Sequence, residues 1–322
     1  MAATPELATE GASASQLSSD AISDRINAMY AEVEDSNLKK KKALSIVQRT
    51  FVYIGAILTS AILLFLIVYI LVRGIPYLKP SLFAWEYTSE NVSLMPALIN
   101  TVLMALIALI IAVPIGVGSA IYLVEYAPRG SKFVQVVRIT TETLQGIPSI
   151  VYGLFGMLFF TTALGWGYSL LAGACTLAIM VLPVIMRTTE EALLAVPDSY
   201  REGSFGLGAG RLRTVFRTVL PSAMPGILGG VILALGRCVG EVAALLYTAG
   251  TVAQTPNFAS EGIMALFDST RTLAVHMYML SSEGLHTNEC FATAVVLLVL
   301  VILLNMLTNY AGNKMAKGDK EE

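Results

Sequence analysis

Long stretches of this chain carry no Asp, Glu, Lys or Arg, and they alternate with short segments rich in those residues. Residues 51–72 form one such stretch, 91–124 a second, 143–186 a third and 290–313 the last; 218–260 is interrupted only by Arg237 and Glu241. A helix needs about 20 mostly apolar residues to cross a bilayer. Residues 143–186 are long enough for two crossings, and Gly165-Trp166-Gly167-Tyr168 reads as the turn between them, with aromatics at the interface. The pattern therefore predicts six helices, near 50–73, 96–124, 145–163, 169–187, 222–248 and 290–311. Continuous apolar runs, without strict alternation, favour helices over a membrane barrel. The expected class is all-α and polytopic.

Composition agrees with that pattern. Of the 322 residues, 55% are hydrophobic and 14% charged, and a soluble domain carries about 25% charge. The net charge of −2 gives no general attraction to nucleic acid. Three separated cysteines, Cys175, Cys238 and Cys290, do not suggest a disulfide framework. Two histidines without a Cys or His cluster suggest no metal site, and no catalytic constellation or cofactor motif is apparent. With the N-terminus inside, 17 of the 21 basic residues fall in inner segments; Arg73, Lys79 and Arg271 fall outside and Arg237 within a span. The positive-inside tendency then predicts a cytoplasmic-membrane protein with both termini cytoplasmic. Residues 1–36, acidic and rich in Ser, Ala and Thr, read as a solvated tail and not as a signal peptide. Lys39, Lys40, Lys41 and Lys42 read as a pin at the membrane lipid surface. The expected organisation is a cytoplasmic tail over 1–45, a first span over 46–75, an extracytoplasmic loop over 76–94, a core over 95–312 and a tail over 313–322.

Three segments carry candidate chemistry. The inner loop 188–221 predicts a short water-facing helix beginning near Tyr200, capped by Asp198 or Ser199 and ended by Gly208 and Gly210. It reads either as a docking element or as an amphipathic loop on the membrane. In the fifth predicted span, Arg237 and Glu241 stand four apart, so one helix face would bring them together. They either line an anion path, with Glu241 restraining Arg237, or form a self-neutralising packing pair. Gly236 with Gly240, and Gly226 with Gly230, have the spacing that lets helices approach closely. Around 145–156, Pro148 suits a first helical turn, and packing is the default role of Gly153 and Gly156.

The inner loop resembles the cytoplasmic signature of ABC-importer permeases: Glu202-Gly203-Ser204, then Gly208, then Leu220-Pro221. Gly203 and Ser204 replace the family's two alanines, and Thr218 replaces its Ile. The strings 146–156, 236–241, 245–250 and 273–280 are similar to the permeases of phosphate-specific importers, PstA type. That resemblance implies a type I ABC importer permease fold and a core of spans two to six. It implies that Glu202, Gly203, Ser204, Gly208, Leu220 and Pro221 couple to an ATPase dimer (PstB type). A second permease (PstC type), an extracytoplasmic phosphate-binding protein (PstS type) and inorganic phosphate as solute are implied with it. The chain has no nucleotide-binding loop of its own. Another oxyanion, sulfate or molybdate, is an alternative solute; a secondary transporter or channel, or a membrane scaffold, is an alternative class.

Overall fold

The computed structural model describes residues 41–42, 44–128 and 130–318, with side chains described as far as Tyr310. The acidic tail 1–36, Lys39, Lys40 and residues 319–322 lie outside the described residues. The chain divides into two compact units, Met1–Val68 and Tyr69–Glu322. Most of helix α1 (Leu44–Tyr77) belongs to the first unit. It begins before the apolar run and outlasts it, and its last turn tightens at Ile75–Tyr77, where Pro76 cannot donate.

The second unit is a helical bundle, and no strand occurs among the described residues. Helix α2 (Met95–Tyr126) opens with Pro96 in its first turn and ends before Pro128, with a π turn over Tyr122–Tyr126. The third apolar segment is not one straight crossing. An amphipathic helix α3 (Lys132–Gln145) meets α4 (Ser149–Ala163) at 102°. The break falls at Gly146-Ile147-Pro148, so Pro148 stands at the N-cap of α4 and not inside the expected helix over 145–163. Pro148 disfavours helical backbone in the residue before it and has no N–H to continue α3. The turn at 164–169 forms as the sequence predicts, with Gly165 and Gly167 at φ of +69° and +65°.

Helix α5 (Leu170–Leu194) starts at Ser169, whose hydroxyl accepts from the Ala172 N–H at 3.2 Å. The short helix α6 (Asp198–Gly206) then leads into α7 (Arg211–Gly240). Just before Pro221 the Leu220 N–H reaches back five residues to the Val215 carbonyl, a π bulge. The fifth span is expected to be continuous over 222–248 and is not. It stops at Gly240, Glu241 turns extended at ψ 132°, and a separate helix α8 (Ala243–Thr248) follows.

The segment expected as an outer loop is structured. It holds the short α9 (Phe258–Phe267) and then α10 (Leu273–Glu283), whose Leu273, Ala274, Val275 and His276 are buried. Helix α11 (Thr287–Gly318) is the last, so the tail expected from 313 is helical to Gly318. Among the described residues five helices are long and apolar enough to span a membrane, six if the bent α3–α4 pair counts as one crossing. The chain is a multi-pass membrane protein.

Packing centres on α5, which lies against α2, α7, α8 and the end of α3. Ala105, Ala108 and Ala112 of α2 are almost fully buried in the core with Leu177, Met180 and Ile185 of α5. Small residues let these backbones approach, which replaces the hydrophobic drive that lipid does not supply. The two Gly-x-x-x-Gly pairs differ. A Cβ on Gly226 or Gly230 would collide with Ala192 or Thr188 of α5, whereas Gly236 and Gly240 face open space. The first pair closes α7 on α5, and the expected close approach at the second is absent among the described residues.

Helix α4 packs on α8 through Gly153, where a Cβ would lie 2.8 Å from the Ala244 Cα and 3.1 Å from its carbonyl oxygen. Those are backbone atoms and cannot rotate away. Gly153→Val should therefore destabilise the bundle by about 1–3 kcal/mol. Gly118→Val, at a position with no neighbour within 4 Å, is the control. The midpoint of thermal unfolding in detergent measures both, and equal midpoints would refute the α4–α8 contact.

Candidate functional site: the coupling face and the span-five arginine

Helix α6 begins directly after Pro197, which occupies the N-cap without a side-chain cap. The capping expected of Asp198 or Ser199 is not made; Asp198 is the first helical residue and its carboxylate instead pairs with Arg201 at 3.2 Å. The helix ends as expected at Gly208, whose φ of +83° admits glycine and whose N–H donates to the Phe205 carbonyl at 2.9 Å. Gly210 does not end α6 but provides the N-cap of α7.

Arg201 fastens α6 to the bundle. Its Nε and Nη2 donate to Glu125 Oε1 of α2 at 3.0 and 2.8 Å. Its Nη2 and Nη1 also donate to the Leu193 and Val196 carbonyls, at 2.9 and 2.8 Å, where α5 runs out of helical partners. The Arg201 and Glu125 side chains retain only 15% and 8% exposure. One guanidinium therefore ties together the ends of α2 and α5 and the start of α6. Beside it, Arg211 stacks on Tyr126 at 5.3 Å, and Ser204 Oγ lies 2.8 Å from Thr214 Oγ1, joining α6 to α7. Arg138 of α3 bonds Glu190 of α5 through Nε at 2.6 Å. Glu125, Arg138, Asp198, Arg201, Phe205 and Arg211 line a cleft of about 680 Å³.

What α6 turns outward is apolar as well as polar. Tyr200, Phe205, Leu207 and Leu212 are exposed, Leu207 by 91%, together with Glu202 and Gly203. Ser204 is half-buried on Thr214. Leu220 and Pro221 are half-buried at the base of α7, with Leu220 packed into the core that holds Val215, Val219 and Ala223. The structure thus brings Glu202, Gly203, Ser204 and Gly208 onto one short helix and its end, with Leu220 and Pro221 further along α7.

Arg237 and Glu241 lie at the far end of α7. The expected ion pair is not formed; no ion pair within 4 Å joins them among the described residues. Glu241 is buried, and its Oε1 accepts from the Ala244 N–H at 3.1 Å. The break after Gly240 exposes the first N–H groups of α8, and the carboxylate caps them in preference to the arginine. Arg237 is left half-buried, without a hydrogen bond or ion pair among the described residues, within electrostatic reach of the Tyr152 hydroxyl. No three His, Cys, Asp or Glu side chains come together as metal ligands would among the described residues.

A profile of the family described as "Binding-protein-dependent transport system inner membrane component" matches residues 112–317. The chain belongs to this family. It is 34% identical over 278 residues to the probable ABC transporter permease protein YqgI of Bacillus subtilis (strain 168), covering 81% of this chain and 92% of that one. It is 35% identical over 210 residues to the phosphate transport system permease protein PstA 1 of Mycobacterium tuberculosis (strain CDC 1551 / Oshkosh), covering 65% and 67%. Its fold is that of a chain in the crystal structure of a bacterial ABC transporter involved in the import of the acidic polysaccharide alginate. The TM-score is 0.53 at 16% identity, with 80% and 95% of the two chains covered. The all-α, type I ABC importer permease architecture expected from the sequence is therefore the one observed.

The permease's Arg201–Glu125 pair was not among the sequence candidates. Its signal lay in plain view: Glu125 is the first charge after the apolar run 91–124, and Arg201 stands one residue before the family signature. Arg201→Met should leave Glu125 buried and uncompensated, a loss of about 3–5 kcal/mol. Hydrogen exchange should rise in α6 and at the ends of α2 and α5, and unchanged exchange there would show that the pair does not hold the helix.

Proposed function

We propose that this permease subunit imports inorganic phosphate across the cytoplasmic membrane, with ATP hydrolysis done by a separate ATPase dimer. The partners in this reading are a second permease of PstC type, the ATPase of PstB type and an extracytoplasmic binding protein of PstS type. Both termini and α6 face the cytoplasm. The observation that carries the reading is Arg237: a permanently charged fork in an apolar helix, with no partner among the described residues. A cation held in such a place at a cost of about 2.5–3.5 kcal/mol is best explained by a travelling anion. The PstA-named relative supplies phosphate as the favoured solute. Sulfate or molybdate, with the same tetrahedral oxygens, is the second reading.

The mechanism follows from the two faces. ATP-driven closure of the ATPase dimer moves α6, seated on it through Glu202, Gly203, Ser204, Gly208 and the apolar Tyr200, Phe205 and Leu207. Arg201 passes that motion to α2 and α5 as a rigid unit, because it bonds both. Leu220 and Pro221 pass it into α7, which carries Arg237 at its other end. Phosphate meets Arg237 when the cavity opens outward and leaves when it opens inward, a two-state exchange biased by nucleotide. Glu241, occupied in capping α8, sets the break that holds Arg237 near the path.

Arg237→Gln should lower ATP-dependent phosphate uptake in vesicles by about two orders of magnitude, while the complex still assembles. Unimpaired uptake would remove Arg237 from the path, and uptake abolished by competing sulfate would move the solute to the second reading. Glu202→Lys or Gly208→Val should reduce ATPase co-purification or its stimulation by transport, and wild-type values for both would place the coupling contact elsewhere.

A further inference from the structure

Arg271 lies between α9 and α10, at the end of the bundle opposite α6. It is outside the apolar cores and yet only 6% exposed. Its Nε and Nη2 meet no hydrogen-bond partner, and no carboxylate comes within ion-pair distance among the described residues. The guanidinium is stacked 4.4 Å from the centre of the Tyr87 ring. His276, one turn into α10, is fully buried, and burial, reinforced by Arg271, pushes its pKa down to about 3, so it is neutral. The Val92 backbone acts on the ring as a weak hydrogen-bond partner and opposes that shift, although neither ring nitrogen makes a hydrogen bond of good geometry. Thr270 Oγ1 and Asn100 Oδ1 are likewise buried and unpaired.

Several backbone groups around this cluster are, in contrast, engaged. Asn100 Nδ2 donates to the Gln254 and Arg271 carbonyls at 2.8 and 3.3 Å. The Arg271 N–H donates to Val252 O at 3.0 Å, and Thr101 Oγ1 accepts from the Leu273 N–H at 2.7 Å. The backbone is held by these bonds, whereas the Arg271 Nε and Nη2 donors and the Thr270 hydroxyl beside it are not. The positive end of the 11-residue α10 adds to the same field. A buried cation without a counter-charge is among the costlier arrangements a protein holds, and buried polar groups without partners are few. The missing element is an anion with several acceptor oxygens.

We infer that Arg271, with Thr270 and His276 at the start of α10, forms a second oxyanion site on the face opposite α6, distinct from Arg237. It takes a small tetrahedral oxyanion, two of whose oxygens the guanidinium fork fits. The segment carrying Tyr87 covers it. That segment includes Val92, a β-branched residue held at φ +46°, a conformation such residues rarely adopt. Displacing Tyr87 uncovers the fork and releases that strain. The site is the station at which the solute enters the permease before reaching Arg237, and in that respect it rests on the transport reading above.

The test is equilibrium dialysis of the purified full transporter, without its binding protein, against radiolabelled inorganic phosphate, with sulfate and molybdate in parallel. Arg237→Gln should still bind an oxyanion, and Arg237→Gln combined with Arg271→Met should bind it at least about tenfold more weakly. Loss of all binding in Arg237→Gln alone, or equal binding by the double variant, overturns the inference. Should Arg271→Met fail to assemble, Arg271→Lys in the same background, which keeps the charge and loses the fork, is expected to weaken binding, and undiminished binding overturns the site. Arg271-dependent binding of sulfate but not phosphate keeps the site and removes phosphate from the proposed function.

Discussion

In hydrocarbon a peptide group has no water to turn to, so a helix that breaks inside the bundle must find its partners in other side chains. This constraint organises the permease. Where α3 stops at Gln145, the Gln145 side chain donates to the Pro183 carbonyl at 3.0 Å, and the Tyr152 hydroxyl donates to the Leu144 carbonyl at 2.7 Å. Where α7 stops at Gly240, Glu241 caps α8. Where α10 starts, Thr101 of α2 accepts from the Leu273 N–H. At each of these points a polar side chain meets a backbone group, and Gln145, Tyr152 and Thr101 each join two elements in doing so. The breaks let an apolar bundle turn its chain without exposing peptide groups to lipid.

The same economy explains why so few charges suffice on the α6 side. The carbonyls at the end of α5 need donors, and Arg201 supplies them while also neutralising Glu125. A lysine could not do so, because it lacks a planar fork that reaches two carbonyls and a carboxylate at once. Arg138 with Glu190, and Arg187 with Glu142, tie α3 to α5 in the same region, but these pairs are more exposed and individually weaker. The fastening of α6 thus rests on one well-buried residue with a supporting fringe.

Much of this was legible in the sequence, and the failures share a cause. Apolar run length gave the existence of the crossings, because hydrocarbon thickness fixes it. The glycine turn at 164–169 was legible because positive φ demands that residue. The breaks were not. Pro148 was read as the start of a helix, which is true of α4, but the 102° elbow needs the amphipathic 132–145 segment to be seen as a helix in its own right. Hydropathy scores that segment as merely polar. The pairing of Arg237 with Glu241 failed because helical spacing assumes a helix, and the carboxylate had a better partner in the exposed N–H groups of α8. Likewise, two Gly-x-x-x-Gly strings look alike on paper, but among the described residues only the one facing Ala192 and Thr188 meets another helix closely. Local spacing says which residues share a face and is silent on what that face meets.

The contrast between Arg201 and Arg237 carries the last step. Both are permanent charges near apolar helices, and both come at a desolvation cost. Arg201 spends all five of its donors on the protein, so any anion would have to displace two carboxylates and two carbonyls to reach it. A group bound that firmly can transmit force but cannot exchange ligands. Arg237 has no such partners among the described residues, and the acid that could have satisfied it is committed to the chain's own backbone. In the proposed reading, a cation left in that state takes up an oxyanion and depends on movement of the surrounding helices to let it go. On that reading, the number of protein bonds on each guanidinium separates the residue that moves the machine from the residue that meets the cargo.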